Sequence, residues 1–148
     1  MSDAPMFSTM SESDCRAFLA RTHVGRIAFV HHGQVDIRPV HFAIDGNWIV
    51  TRTARGEKLA ALLERPYVAF EVDESDAQYD WRSVIVRGTI YPLEGDVPGH
   101  KAEQWERALA ALRRFMPVAM SSDDPTPQRD VILGLHIDEL TGRSASLA

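Results

Sequence analysis

Residues 51–58 read Thr-Arg-Thr-Ala-Arg-Gly-Glu-Lys and run on into Leu-Ala-Ala-Leu-Leu-Glu. Three cations and two hydroxyls thus meet where an extended segment turns into a helix. Side chains of an extended chain alternate between faces, so Thr51 and Thr53 share one face and Arg52 takes the other. Beyond Gly56, the first free N–H groups of a helix carry a partial positive charge. An oxyanion seated there accepts hydrogen bonds from hydroxyls and amides. Lys58 adds a point charge, and one arginine can add a bidentate fork. The same residues also suit a solvated turn with threonine chosen for strand propensity, and their spacing is not that of a Walker A loop. Chemistry alone leaves both readings open.

Other candidate groups point to blander roles. His31 and His32 are adjacent, so within a strand they face opposite ways and do not share an ion. His23, His41, His100 and His136 show neither helical i, i+4 pairing nor a CxxC partner, and no metal site is expected. Glu71, Asp73, Glu74 and Asp76 form an acidic run that reads as a solvated strand exit, with general acid work as the sharper alternative. Cys15 lies on the apolar face of a helix and reads as a packed thiol. No GxSxG motif offers a nucleophile, and no catalytic residue is assigned.

These groups sit in a chain of 148 residues, enough for one domain. A net charge of −5 argues against general nucleic-acid binding, which draws on cationic surface. The single cysteine excludes an internal disulfide and fits a reducing compartment. The start, "MSDAPMFSTMSESD", has neither the basic end nor the apolar core of a signal peptide. No apolar run approaches the roughly 20 residues that span a bilayer. The expectation is a cytoplasmic protein without membrane or nucleic-acid partners.

The elements that must position the candidates follow from periodicity. Residues 1–10 read as a flexible tail. "SESDCRAFLART" is a helix capped by Ser11, with Cys15, Phe18, Leu19 and Thr22 on one face. Extended segments follow at "VGRIAFVHH", "QVDIRPVHFAI" and "NWIVTRT", with turns at His32-Gly33 and Asp45-Gly46. A short helix over 55–64 carries Leu59, Leu62 and Leu63. "YVAFEVDE" and "DWRSVIVRGTIYPLEG" are the fourth and fifth strands. A helix over "GHKAEQWERALAALRRFM" has Ala102, Trp105, Leu109, Leu112 and Met116 as its stripe. The loop "PVAMSSDDPTPQRD" is long for a connector, and a lid over residues 117–129 would explain it. "VILGLHIDELTGRSAS" is the sixth strand. Hairpin-joined strands with helices outside predict a mostly β fold, a six-stranded antiparallel barrel.

The pieces "VGRIAFV", "RPVHFAIDG", "TRTARGEKL", "PYVAFEVDE", "WRSVIVRGTI" and "LTGR", in that order, resemble the pyridoxamine 5′-phosphate oxidase-like, flavin-binding split-barrel family. The resemblance covers about residues 10–143 and implies a split barrel, a homodimer and two FMN sites at the subunit interface. It implies that Arg38, Pro39 and Val40 border the flavin ring. Thr51, Arg52, Thr53 and Lys58 fall in the phosphate region. Trp81 and Ser83 approach the ring from the other side of the interface, where tryptophan also serves as an interface seal. His41, next to Pro39 and Val40, could approach the ring as well, and otherwise reads as a satisfied strand histidine. The C-terminal arginine and histidine pattern of pyridoxamine phosphate oxidase itself is missing, so that substrate is not expected. The chain looks closer to small members such as the nitroimidazole-resistance proteins. The implied activity is a small oxidoreductase passing electrons between small-molecule donor and acceptor, with no metal. Two alternatives stay open: a deazaflavin coenzyme, whose longer anionic tail Arg55, Arg65 and Arg87 could serve, or a non-catalytic flavin- or haem-binding sensor or carrier.

Overall fold

The structure, a computed structural model, describes residues 4–95 and 99–147, without the side chains of residues 100 and 101. Its elements in chain order are β1 (Pro5–Thr9), α1 (Glu12–Arg21), β2 (Val24–His31), β3 (Gln34–His41), β4 (Ala43–Asp45), β5 (Trp48–Thr53), α2 (Glu57–Glu64), β6 (Tyr67–Ala77), β7 (Asp80–Leu93), α3 (His100–Arg113) and β8 (Val131–Leu147). All strand pairs are antiparallel, and the sheet runs β3-β2-β6-β7-β8-β5-β4, with β1 added along β8. This curled antiparallel sheet with peripheral helices is the expected split-barrel class. Among the described residues it has eight strands rather than six.

Each extra strand has an identifiable cause. Residues 5–9 are not a loose tail: they pair with residues 143–147 at the far end of the chain, and Met10 N–H continues the ladder to the Gly142 carbonyl. The expected second strand breaks at Phe42. This fully buried ring turns into the core, and its N–H bonds back to the His23 carbonyl. The hairpin after it closes through Gly46 and Asn47, one residue later than expected, because Asp45 pairs with Trp48. Gly46 has φ 56°, the conformation that glycine supplies at the first central position of a type II′ turn. Asn47 holds this register by donating to the Ile137 carbonyl at 3.2 Å and accepting from Arg16 at 2.7 Å.

The barrel interior is filled by Ile27, Phe29, Phe42, Ile49, Phe70, Val84, Val86 and Leu135, among others. Helix α1 closes one part of it with Cys15, Phe18 and Leu19. Ser11 caps it, accepting from the Asp14 N–H at 3.1 Å. Burial pushes the Cys15 thiol up, as expected of an inert packed sulfur. Helix α2 buries Leu59, Ala61 and Leu62, whereas Leu63, expected inside, is exposed. Helix α3 covers a second core of Ala43, Val50, Leu93, Ala108, Leu112 and Ile132, with Trp105 packed at its margin. Among the described residues, no helix is long and apolar enough to cross a membrane.

Candidate functional site

Strand β5 ends at Thr53, and the chain passes through Ala54 to Gly56, whose φ of 154° is a conformation that β-carbon residues rarely adopt. Gly56 is the N-cap of α2 and has no side chain with which to satisfy the first-turn N–H groups. That turn lies beside a cavity of 370 Å³, within the range of small-molecule sites. Its lining brings together Pro39, Val40 and His41 from β3, Arg52 and Thr53 from β5, and Lys58 from α2. Val24, Ala54, Met116 and Arg129 complete the wall. Met116 was expected on the apolar stripe of the last helix and Arg129 within the long loop, but neither was named as a site residue.

The cavity is cationic. Lys58 is held below its ordinary value, first by burial and then by the charges of Arg38 and Arg129. A partly desolvated ammonium under the charge of two arginines favours a neighbouring anion. Arg38 itself is exposed and pairs with Asp36 at 3.1 Å, so it acts on the cavity from outside.

Two of the expected phosphate groups are committed elsewhere. The Thr51 hydroxyl donates to the His41 carbonyl at 2.7 Å, tying β5 to β3, and does not line the cavity. Arg52 lines the wall, but its guanidinium is held by the Asp124 carboxylate, the Thr126 hydroxyl (2.9 Å) and the Arg129 carbonyl (3.3 Å). Both partners of the Arg52–Asp124 pair are buried, at 6% and 1% side-chain exposure. Asp124 also accepts from the N–H groups of Met120 (2.8 Å) and Thr126 (2.9 Å). The guanidinium and then these amides hold its carboxyl well below the usual carboxylate range. The loop expected to act as a lid is bonded to β5 through Asp124 and Thr126 at its middle, and its Arg129 lines the cavity.

Trp81 and Ser83 lie on β7 and outside this cavity. Trp81 packs against Phe7, with ring centroids 6.3 Å apart. The Ser83 hydroxyl donates to Glu71 Oε2 at 3.2 Å. One chain does not bring these two residues to the residues of β3, β5 and α2. The cations Arg55, Arg65 and Arg87 also lie outside the cavity lining, and Arg55 sits 3.8 Å from Asp130.

The acidic run is not the uniformly solvated strand exit expected. Glu74 bonds Arg21 at 2.8 Å and Arg82 at 2.7 Å, while Glu71 is partly buried 3.5 Å from Arg26. Burial, followed by Asp73 beside it, pushes the Glu71 carboxyl up to about 7, and the Ser83 bond and Arg26 only partly oppose this. A carboxyl raised in the folded state contributes stability below its ordinary 4.5 that is lost as pH rises toward about 7. Glu71→Gln should therefore flatten the fall in thermal midpoint between pH 5 and pH 8, and be more stable than wild type at pH 8. Parallel pH profiles for the two proteins would show that Glu71 ionises normally.

Comparison with known proteins agrees with this fold. The description of the pyridoxamine 5′-phosphate oxidase family matches residues 11–144, and the chain belongs to that family. An uncharacterized protein of Rhizobium meliloti is 26% identical over 92% of this chain and 93% of its own length. A FAD-binding protein from Mesorhizobium loti is similar in structure, with a TM-score of 0.76 and 26% identity over 97% of this chain and 99% of that one. A Bacteroides thetaiotaomicron protein, provisionally assigned to 5-nitroimidazole antibiotic resistance, has a TM-score of 0.72. At 15% identity over 97% of this chain and 90% of that one, it shares the fold.

Proposed function

We propose that the chain is a cytoplasmic flavin-binding protein that holds FMN non-covalently at a homodimer interface and acts as a small oxidoreductase. The observation that carries the reading is the meeting of Lys58, Arg129 and Thr53 with Pro39, Val40 and His41 around one 370 Å³ cavity. The cationic end suits a phosphate: Lys58 and Arg129 neutralise it, and the uncapped first turn of α2 offers further N–H groups beside it. The opposite wall, built from β3, suits a planar ring bordered by backbone and apolar side chains. When bound, the flavin supplies two-electron chemistry. The chain's own residues seat the phosphate, orient the ring and keep water from one face, with Met116 and Val24 as apolar cover.

The other face is proposed to be covered by the partner subunit through Trp81 and Ser83. The exposed Met6, Phe7, Tyr79 and Leu147 near Trp81, and Val35 and Ile37 on β3, support an apolar contact between copies. A site shared by two subunits links the two equilibria, so FMN should tighten the dimer and dilution should weaken FMN binding. Sedimentation of the apo-protein with and without FMN tests this. A monomer that retains FMN at micromolar concentration contradicts the shared site.

FAD is the second reading, favoured by the FAD-binding relative of Mesorhizobium loti at 26% identity. A deazaflavin tail finds less support, since none of Arg55, Arg65 and Arg87 lines the cavity.

A further inference from the structure

On the neighbouring face of α2, Glu57, Ala60, Ala61 and Glu64 look onto the turn between β2 and β3 across a cavity of 300 Å³. Two adjacent histidines on a flat strand would diverge, but His32 is not in the strand. It occupies the first central position of the turn with φ 52°, followed by Gly33 at φ 72°. Two positive φ values in succession mark a type I′ turn, and they swing the His32 ring back beside that of His31. The ring centroids are 4.0 Å apart with planes inclined by 33°. His31 Nε2 lies 3.9 Å from Glu57 Oε2, and one donor atom from each of His31, His32 and Glu57 falls within 4.8 Å of the others.

We propose that His31, His32 and Glu57 form a divalent transition-metal site of the class that takes Zn²⁺. Imidazole nitrogen and carboxylate oxygen are the donors that ion accepts, at about 2.0–2.2 Å, in tetrahedral geometry. Two donors of a tetrahedral site lie about 3.4 Å apart, so the observed spacing closes by small side-chain rotations. The Glu57 side chain is 85% exposed and free to rotate inward, whereas His31 is 23% exposed. Three protein donors leave a fourth position for water. The ion would clip the β2–β3 turn to the first turn of α2. The spacing rule that argued against a histidine site assumed a strand at both positions, and the turn removes that assumption.

Calorimetric titration of tag-free, full-length protein with ZnCl₂ tests the site. The expected result is one Zn²⁺ per chain at micromolar affinity. Thermal midpoint should rise by about 9 °C at a hundredfold excess over Kd. His32→Asn keeps a residue that tolerates positive φ, so the turn should survive. Losing a direct donor should cost at least what altering an outer partner costs, about tenfold or more in affinity. Glu57→Gln should also weaken binding while leaving the fold intact. The proposal is overturned by no binding up to about 100 µM. It is equally overturned if zinc binding is undiminished in His32→Asn but lost in His136→Ala, which would place the ion at the His136–Asp138 pair (2.8 Å).

Discussion

Lys58→Ala weakens FMN binding about ten- to a hundredfold, the loss of one charge-assisted contact worth about 1.5–3 kcal/mol. Riboflavin, which lacks the phosphate, binds the variant and the wild type alike. The apo-protein should be no less stable, because burial and the charges of Arg38 and Arg129 already penalise the Lys58 ammonium. The sign of the pH dependence follows from that depression. The ammonium is lost as pH rises through a value below the ordinary 10.5, so wild-type FMN affinity falls on the alkaline side earlier than a free lysine would dictate. Lys58→Ala lacks this limb of the profile. Fluorescence titration with FMN and riboflavin at several pH values measures all of it. An unchanged FMN affinity in the variant would place the phosphate elsewhere.

Arg52→Ala lowers the thermal midpoint at pH 7 by about 10 °C, since it strips the guanidinium from a buried carboxylate. Asp124 would keep the N–H groups of Met120 and Thr126 but lose the charge that offsets its burial. Arg52→Lys should rescue only part of the loss, because an ammonium cannot reproduce the fork that reaches Asp124, Thr126 and the Arg129 carbonyl together. The pair stabilises at pH above the ordinary Asp value of 3.8 and ceases to do so as pH falls through the depressed folded value. The gap between wild type and Arg52→Ala should therefore narrow in acid. Thermal unfolding at pH 7 and in acid tests both points, and a midpoint unchanged by the substitution would mean that the loop is held by other contacts.

These two arginine and lysine positions mark the limit of what was legible in the sequence. The alternation of β5 and the start of α2 made Thr53 and Lys58 candidates, the family resemblance assigned them to the phosphate region, and both line the cavity. The same pattern could not show that Arg52 is spoken for, because its partner lies 72 residues further on, in a loop without periodicity. Arg129 was hidden for the same reason. Thr51 alternates correctly with Thr53 but spends its hydroxyl on the β3 backbone, which only the register of three strands reveals. Strand β1 went unread because five residues with no apolar alternation became a strand by pairing with β8 at the other end of the chain. His31 and His32 were read by the rule for strands, and one residue in a positive-φ turn sets their rings side by side instead of on opposite faces. The local signals were sound where the partner was near in sequence, and failed where a distant segment supplied it.

The most direct test is competition for the empty-handed protein: apo-protein is incubated with equal amounts of FMN, FAD, a deazaflavin coenzyme and haem, gel-filtered, and its retained ligand identified by mass spectrometry after denaturation. Retention of FMN, at one molecule per subunit, is the predicted result. Retention of FAD would contradict the assignment to FMN, and retention of deazaflavin, haem or nothing would contradict the flavin site at Lys58.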